Sequence, residues 1–141
     1  MKRQATAHWS GGIKDGTGTL STPSGALEQT PYSYRDRFED GPRTNPEELL
    51  GAAHAGCYAM ALSGQLGDAG MTAESLDVTA SVSLEKQDDG FAITAVHLDL
   101  KAKIPGAEHD AFMEAANNAR TGCPVSKLFK ADITLDAQLV G

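Results

Sequence analysis

An α+β domain is the fold class this sequence predicts, and three observations lead there. Strand-like alternation of apolar residues recurs in separate blocks. One helix has a fully marked start at Asn45-Pro46. The order is strands, a small-residue helix, a hairpin, two helices and a closing strand, so strands and helices come in runs. The 141 residues suit one domain spanning 1–141.

Residues 1–43 read as β-rich. Ala5 to Trp9 and Gly16 to Thr22 are short strands, and Ser33 to Glu39 sets Tyr34 and Phe38 in alternation with charged residues. Turns fall at Gly11-Gly12, Pro23-Ser24-Gly25 and Asp40-Gly41-Pro42. Next comes the marked helix. Asn45 is placed to cap it, Pro46 sits where a missing N–H costs nothing, and Glu48 completes a capping-box-like pair. Glu47 and Glu48 complement the positive end of the helix dipole. The helix should run to about Leu66 and stop near Gly67 or Gly70. Its interior, Gly51 to Ala61, is small and apolar, which predicts burial with other backbone close by.

From Thr72 to Lys86, Leu76, Val78, Ala80, Val82 and Leu84 share one face. Asp88-Asp89-Gly90 turns the chain. Phe91 to Ile104 alternates again, and its phase shifts between Ala95 and Val96, the mark of a bulge or a change of face. After Pro105-Gly106 a helix is expected from Glu108 to Arg120, and a short one from Pro124. A strand from Ala131 to Val140 closes the order.

The net charge is -7, and the few basic residues are scattered among acidic ones. Nucleic-acid binding, which needs clustered Lys and Arg, is disfavoured. No apolar leader follows Met1, and Leu49 to Leu66 is too interrupted to span a bilayer. A cytoplasmic protein without membrane attachment is therefore expected. In that reducing setting two cysteines read as inert thiols or as a working redox pair, not as a permanent staple.

Cys57 lies mid-helix among Ala53, His54, Met60 and Ala61 at helical spacing. Taken alone, it reads first as a core cysteine, which behaves as a small hydrophobe. Cys123 precedes Pro124 and so stands at a helix entry, where backbone N–H groups and the dipole favour a thiolate. A helix entry that merely happens to hold a cysteine fits equally. Arg37 on its strand is a solvated residue or a cation suited to a thiolate, able to pair with Glu47. Glu47 and Cys57 are ten positions apart on one helix, about 15 Å along its axis and roughly 80° apart around it. A straight helix keeps Glu47 off Cys57 of its own chain, which leaves action on a distant cation or service to a second subunit. His54, three residues before Cys57, is a polar contact at the helix edge or the partner of a Cys–His nucleophile. Gly16-Thr17-Gly18 lacks the third glycine of a nucleotide loop. The histidines show no metal-ligand spacing, and there is no Cys-x-x-Cys.

The stretch TNPEELLGAAHAGC from Thr44 to Cys57, with GCPVSK from Gly122 to Lys127, resembles the OsmC/Ohr family. AHW, GTGTLST, YRDRFED and KADITL resemble its OsmC branch, and the likeness covers nearly the whole chain. The resemblance implies an intertwined homodimer, with curved antiparallel sheets around buried central helices. It implies cysteine-based reduction of organic hydroperoxides, and more weakly of hydrogen peroxide, with no metal, haem or other cofactor. By position Cys57 matches the peroxidatic cysteine, Cys123 the resolving one, Arg37 the arginine that stabilises thiolate and peroxide, and Glu47 the carboxylate that orients it. A dithiol reductant of the lipoyl type is implied as partner. Two rivals stay open: a dimeric binding module with inert thiols, and an acyl-transfer enzyme using Cys57 with His54.

Overall fold

The computed structural model describes residues 1–141. The chain divides into two compact units, Met1–Leu49 and Leu50–Gly141. The first unit holds β1 (Thr6–Ser10), β2 (Thr17–Ser21) and β3 (Thr30–Tyr32) in an antiparallel sheet of that order. The expected strands at Ala5–Trp9 and Gly16–Thr22 match β1 and β2 within a residue or so. Strand β3 was not foreseen. It is three residues long and centres on Pro31, a residue that a sheet tolerates at its edge, and β3 is an edge strand.

The expected extended stretch at Ser33–Glu39 is instead a short helix, α1 (Tyr34–Phe38). Residues four apart share a face in both geometries, because 4 is a multiple of the strand period and close to one helical turn. Tyr34 and Phe38 therefore fit either. Here their rings pack at a tilt across the turn, with centroids 4.9 Å apart. Arg37 accordingly sits on a helix, not on a strand.

Helix α2 (Pro46–Asp68) begins as its sequence dictates. The Asn45 side-chain oxygen accepts the Glu48 N–H at 2.7 Å. Glu48 does not return to the Asn45 backbone; its carboxylate takes the Thr44 hydroxyl at 2.6 Å. The helix stops after Asp68; Gly70 beyond it takes a φ of +76° that suits glycine, and the Met71 N–H reaches back to the Leu66 carbonyl at 2.8 Å. The expected burial of the whole helix is not met within one chain. Gly51, His54, Tyr58, Leu62 and Leu66 are buried, while Ala53, Gly56, Met60, Gly64 and Gly67 are exposed on the opposite side.

The second unit adds β4 (Ser75–Gln87), β5 (Gly90–Lys103), α3 (His109–Gly122), α4 (Pro124–Leu128) and β6 (Asp132–Val140). Strands β4 and β5 form a hairpin turning on Asp88-Asp89. The register slips where Ser83 faces Ala95 and Leu84 faces Ile93. Thr94 is thus the extra residue, one position before the phase shift seen in the sequence. Strand β6 pairs with β5 in parallel, from Ala95–Asp132 to Lys103–Val140. The sheet is therefore mixed, and α3 and α4 form the crossover that a parallel pair requires.

Alternation sends Leu76, Val78, Val96, Leu98, Ile133 and Leu135 to the core side. Leu62, Leu66, Leu98 and Phe112 are fully buried there, each stabilising the fold by about 1.5–3 kcal/mol. This core fixes α2 and α3, and with them the cysteine-bearing turns.

Candidate active site

Two clusters emerge, one in each unit. In the second, the half-buried Cys57 on α2 and the fully buried Cys123 face each other. Their sulfurs are 2.8 Å apart and both thiols are free. Cys123 ends α3 and caps α4, as Pro124 at the first helical position foretold. Tyr58, beside Cys57, donates its hydroxyl to the Ala116 carbonyl at 3.0 Å and so ties α2 to α3. Burial raises the Cys57 pKa above its ordinary value of 9.0, and the neighbouring Cys123 adds to that rise. The Val125 backbone N–H in the first turn of α4 pulls the other way.

His54 does not pair with Cys57. It is fully buried and hydrogen-bonds through Nε2 to Ser126 Oγ at 2.7 Å. Its ring packs against Phe129 at 5.4 Å between centroids. Burial holds the imidazole pKa below its usual 6.5, so the ring is neutral at physiological pH. This arrangement gives no support to a Cys–His nucleophile.

The first unit holds the expected ion pair. Arg37 grips Glu47 through Nη2 at 2.8 Å and through Nε at 3.1 and 3.3 Å. Glu47 is largely buried, while the Arg37 side chain is 40% exposed. Arg37 also borders an aromatic cavity of about 230 Å³ lined by Trp9, Ile13, Tyr32, Ser33 and Tyr34.

Sequence reasoning passed over Asp36, which organises this region. Its carboxylate accepts the Ser33 hydroxyl at 2.7 Å and both the backbone and side-chain N–H groups of Arg43 at 3.1 Å. Its carbonyl accepts the Asn45 amide at 3.0 Å. A Cβ at Gly41 would lie 2.6 Å from the Asp36 Cα, so only glycine fits. Asp36 thereby sets the loop that delivers Asn45 and Glu47 to the start of α2. Burial alone would raise its pKa, but the bonds from Ser33 and Arg43 prevail and lower it. An Asp between two arginines reads as surface in the sequence, which is why it gave no signal.

Among the histidines, His97 meets Asp99 and Asp136 on the polar face of the mixed sheet, with ligand-type atoms within 4.8 Å of one another. Strand pairing creates this group, so linear spacing did not reveal it. No helix is long and apolar enough to cross a membrane.

Two thiols on facing helical turns of an α+β fold define a dithiol protein. The family model described as OsmC-like protein matches residues 39–138. Peroxiredoxin OsmC of Escherichia coli (strain K12) is 53% identical over 139 residues, covering 99% of this chain and 97% of that one. The chain belongs to the OsmC family. Its fold is also that of the OsmC-like protein from Mycoplasma pneumoniae, with TM-score 0.78 and 16% identity over 100% of this chain and 99% of the other. The organic hydroperoxide resistance protein OhrB of Bacillus subtilis gives TM-score 0.66 and 22% identity over 97% and 98%.

Proposed function

We propose that this chain is a cysteine-based peroxidase that reduces organic hydroperoxides, and hydrogen peroxide more slowly, through Cys57 and Cys123. Family membership and the 53% identity to Peroxiredoxin OsmC support the activity class. The observation that carries the mechanism is the 2.8 Å approach of the two sulfurs.

Cys57 loses its proton, and the thiolate attacks the distal oxygen of ROOH. The O–O bond breaks, a Cys57–SOH forms, and RO⁻ leaves as ROH after taking a proton. The Cys123 thiol then attacks the sulfenic sulfur, releasing water and closing a disulfide. An external dithiol, of the lipoyl type in this reading, reduces that disulfide by exchange and becomes the cyclic disulfide itself. Arg37 stabilises the thiolate and the peroxide oxygens, and Glu47 orients Arg37. The two-pronged grip between them supports that division of labour. The aromatic cavity beside Arg37 supports an apolar R group. We further read the chain as one domain, acting as a cytoplasmic homodimer through the exposed small-residue side of α2.

The raised Cys57 pKa is the one observation on the side of inert thiols. Single-turnover reaction of the reduced protein with cumene hydroperoxide, followed by mass spectrometry, decides the matter. The expected product is one mole of cumyl alcohol and one Cys57–Cys123 disulfide per chain. Unmodified thiols after that treatment would leave only the binding-module reading.

A further inference from the structure

The two sulfurs are not the only link between α2 and α4. His54 and Cys57 lie three residues apart on α2, and Cys123 and Ser126 lie three apart at the start of α4. His54 meets Ser126 and Cys57 meets Cys123, so the two turns run past each other in opposite directions and touch at two rungs. One rung is the reacting pair. The other is a buried hydrogen bond of 2.7 Å between residues 72 positions apart.

We propose that the His54–Ser126 bond is a clasp that positions α4, and with it Cys123, against Cys57, so that the disulfide closes before a second oxidant arrives. His54 is here a positioning residue, acting through Ser126 on Cys123. The proposal rests on the peroxidase reading given above.

The clasp is poorly explained as a stabilising contact. His54 Nε2 is satisfied, but its Nδ1 is buried with no hydrogen-bond partner. A made bond and an unmade one largely cancel in stability, and apolar side chains of similar size at both positions would leave nothing unpaired. What the imidazole adds is direction. Ser126 is itself buried and lies one residue past Val125, whose N–H faces the Cys57 sulfur. Helix α4 is only five residues long, with no side-chain cap. A fixed point in its first turn therefore governs where Cys123 sits. Cys57–SOH has two fates: condensation with Cys123, releasing water, or reaction with a second hydroperoxide to sulfinic acid, releasing alcohol. Condensation depends on the placement of Cys123, and the reaction of Cys57–SOH with a second hydroperoxide needs no resolving thiol.

The test compares wild type with His54→Leu, Ser126→Ala and His54→Gln, whose terminal amide can reach where Nε2 lies. Each reduced protein is mixed with excess cumene hydroperoxide, quenched over time and resolved by mass into sulfenic, sulfinic and disulfide forms. For His54→Leu and Ser126→Ala, disulfide formation should slow by roughly 10- to 100-fold, and the sulfinic product should rise. The first oxidation of Cys57 should stay within about twofold, whereas a general loss of the site's structure would slow both steps alike. His54→Gln should restore the disulfide. Wild-type partition in His54→Leu overturns the clasp, as does equal slowing of both steps. A second arm keeps the clasp apart from the peroxidase reading: redox equilibrium of each protein with oxidised dithiothreitol gives the effective concentration of Cys123 at Cys57 without any peroxide. If wild type forms no sulfenic acid, the peroxidase reading falls. The clasp then stands on a drop of roughly tenfold or more in that effective concentration, and falls with an unchanged one.

Discussion

Arg37 holds Glu47 by two nitrogens of its guanidinium, Nη2 at 2.8 Å and Nε at 3.1 Å from the same carboxylate oxygen. The pair forms within one chain, so the orientation of Arg37 needs no second subunit. A planar fork of this kind cannot be copied by an ammonium. Arg37→Lys should therefore behave almost as Arg37→Ala, with the rate of Cys57 oxidation lowered roughly 100-fold. Glu47→Gln keeps the shape but loses the charge assistance, and should cost about tenfold. Stopped-flow peroxide consumption measures both, and a fully active Arg37→Lys enzyme would refute the fork's role. Thiolate absorbance should also show a higher Cys57 pKa in Arg37→Ala.

The cysteines should separate cleanly. Cys57→Ser should abolish peroxide reduction altogether. Cys123→Ser should consume one equivalent and stall, with Cys57 trapped as sulfenic or sulfinic acid. Sustained turnover by Cys123→Ser would show that Cys123 resolves nothing.

Stability should respond to pH at both ends. The folded chain holds the Cys57 proton more tightly than the unfolded chain, because burial raises its pKa. Stability from this source is complete below 9.0 and declines as pH climbs through the higher folded value. Tyr58, whose pKa burial raises above 10.0, adds to that decline at more alkaline pH. His54 works in the opposite sense. Its pKa is lowered by burial, so the unfolded chain takes the proton first, and stability falls as pH drops from 6.5 toward the folded value. Urea midpoints of the reduced protein across this range should trace a plateau with two shoulders. Cys57→Ser should remove the early alkaline loss and His54→Gln the one just below 6.5. A pH-independent midpoint from 5 to 6.5 would contradict the buried neutral imidazole.

Assembly is testable through Met60, which is 80% exposed on the bare side of α2 between Gly56 and Gly64. Close helix–helix approach needs small residues there. If the proposed homodimer forms through this side, Met60→Asp should shift it to monomer in sedimentation at micromolar concentration, and a wild-type monomer there would remove the proposal. A mixing experiment tells whether sites are shared between chains. Cys57→Ser chains are refolded together with Arg37→Ala,Glu47→Ala chains. Recovered activity means that Arg37 and Glu47 serve the partner's cysteine, and a dead mixture means that they serve their own.

What could be read without coordinates was local. The Asn45 cap is written in adjacent residues and was found where expected. So was the Cys123 entry to α4, because Pro124 fixes a helix start. The stretch Tyr34–Phe38 failed for a geometric reason, since a spacing of four cannot tell a strand from one helical turn. The bulge left a visible phase shift, but only pairing with β4 could locate it at Thr94. The parallel pairing of β5 with β6 and the meeting of His54 with Ser126 depend on contacts across the chain, which no local pattern encodes. For the four residues proposed to act in the site, resemblance carried what spacing could not. Mid-helix surroundings alone pointed to a core cysteine at position 57.

The parallel pairing of β6 with β5 has a bearing on how the thiols are made safe during synthesis. Cys123 lies inside the connection that joins these two strands. Such a connection must be closed before any strand pairing rewards it, so it ranks among the slow steps of folding. The expected order is that Cys57 enters its helix before its partner sulfur is held in place. During that interval an oxidised Cys57 would lack the thiol proposed to resolve it. Pulse labelling of thiols during refolding should find Cys123 becoming protected together with the β6 amides, and later than the β4–β5 hairpin. Cys123 protected ahead of β6 would show that the sulfur pair assembles independently of the sheet.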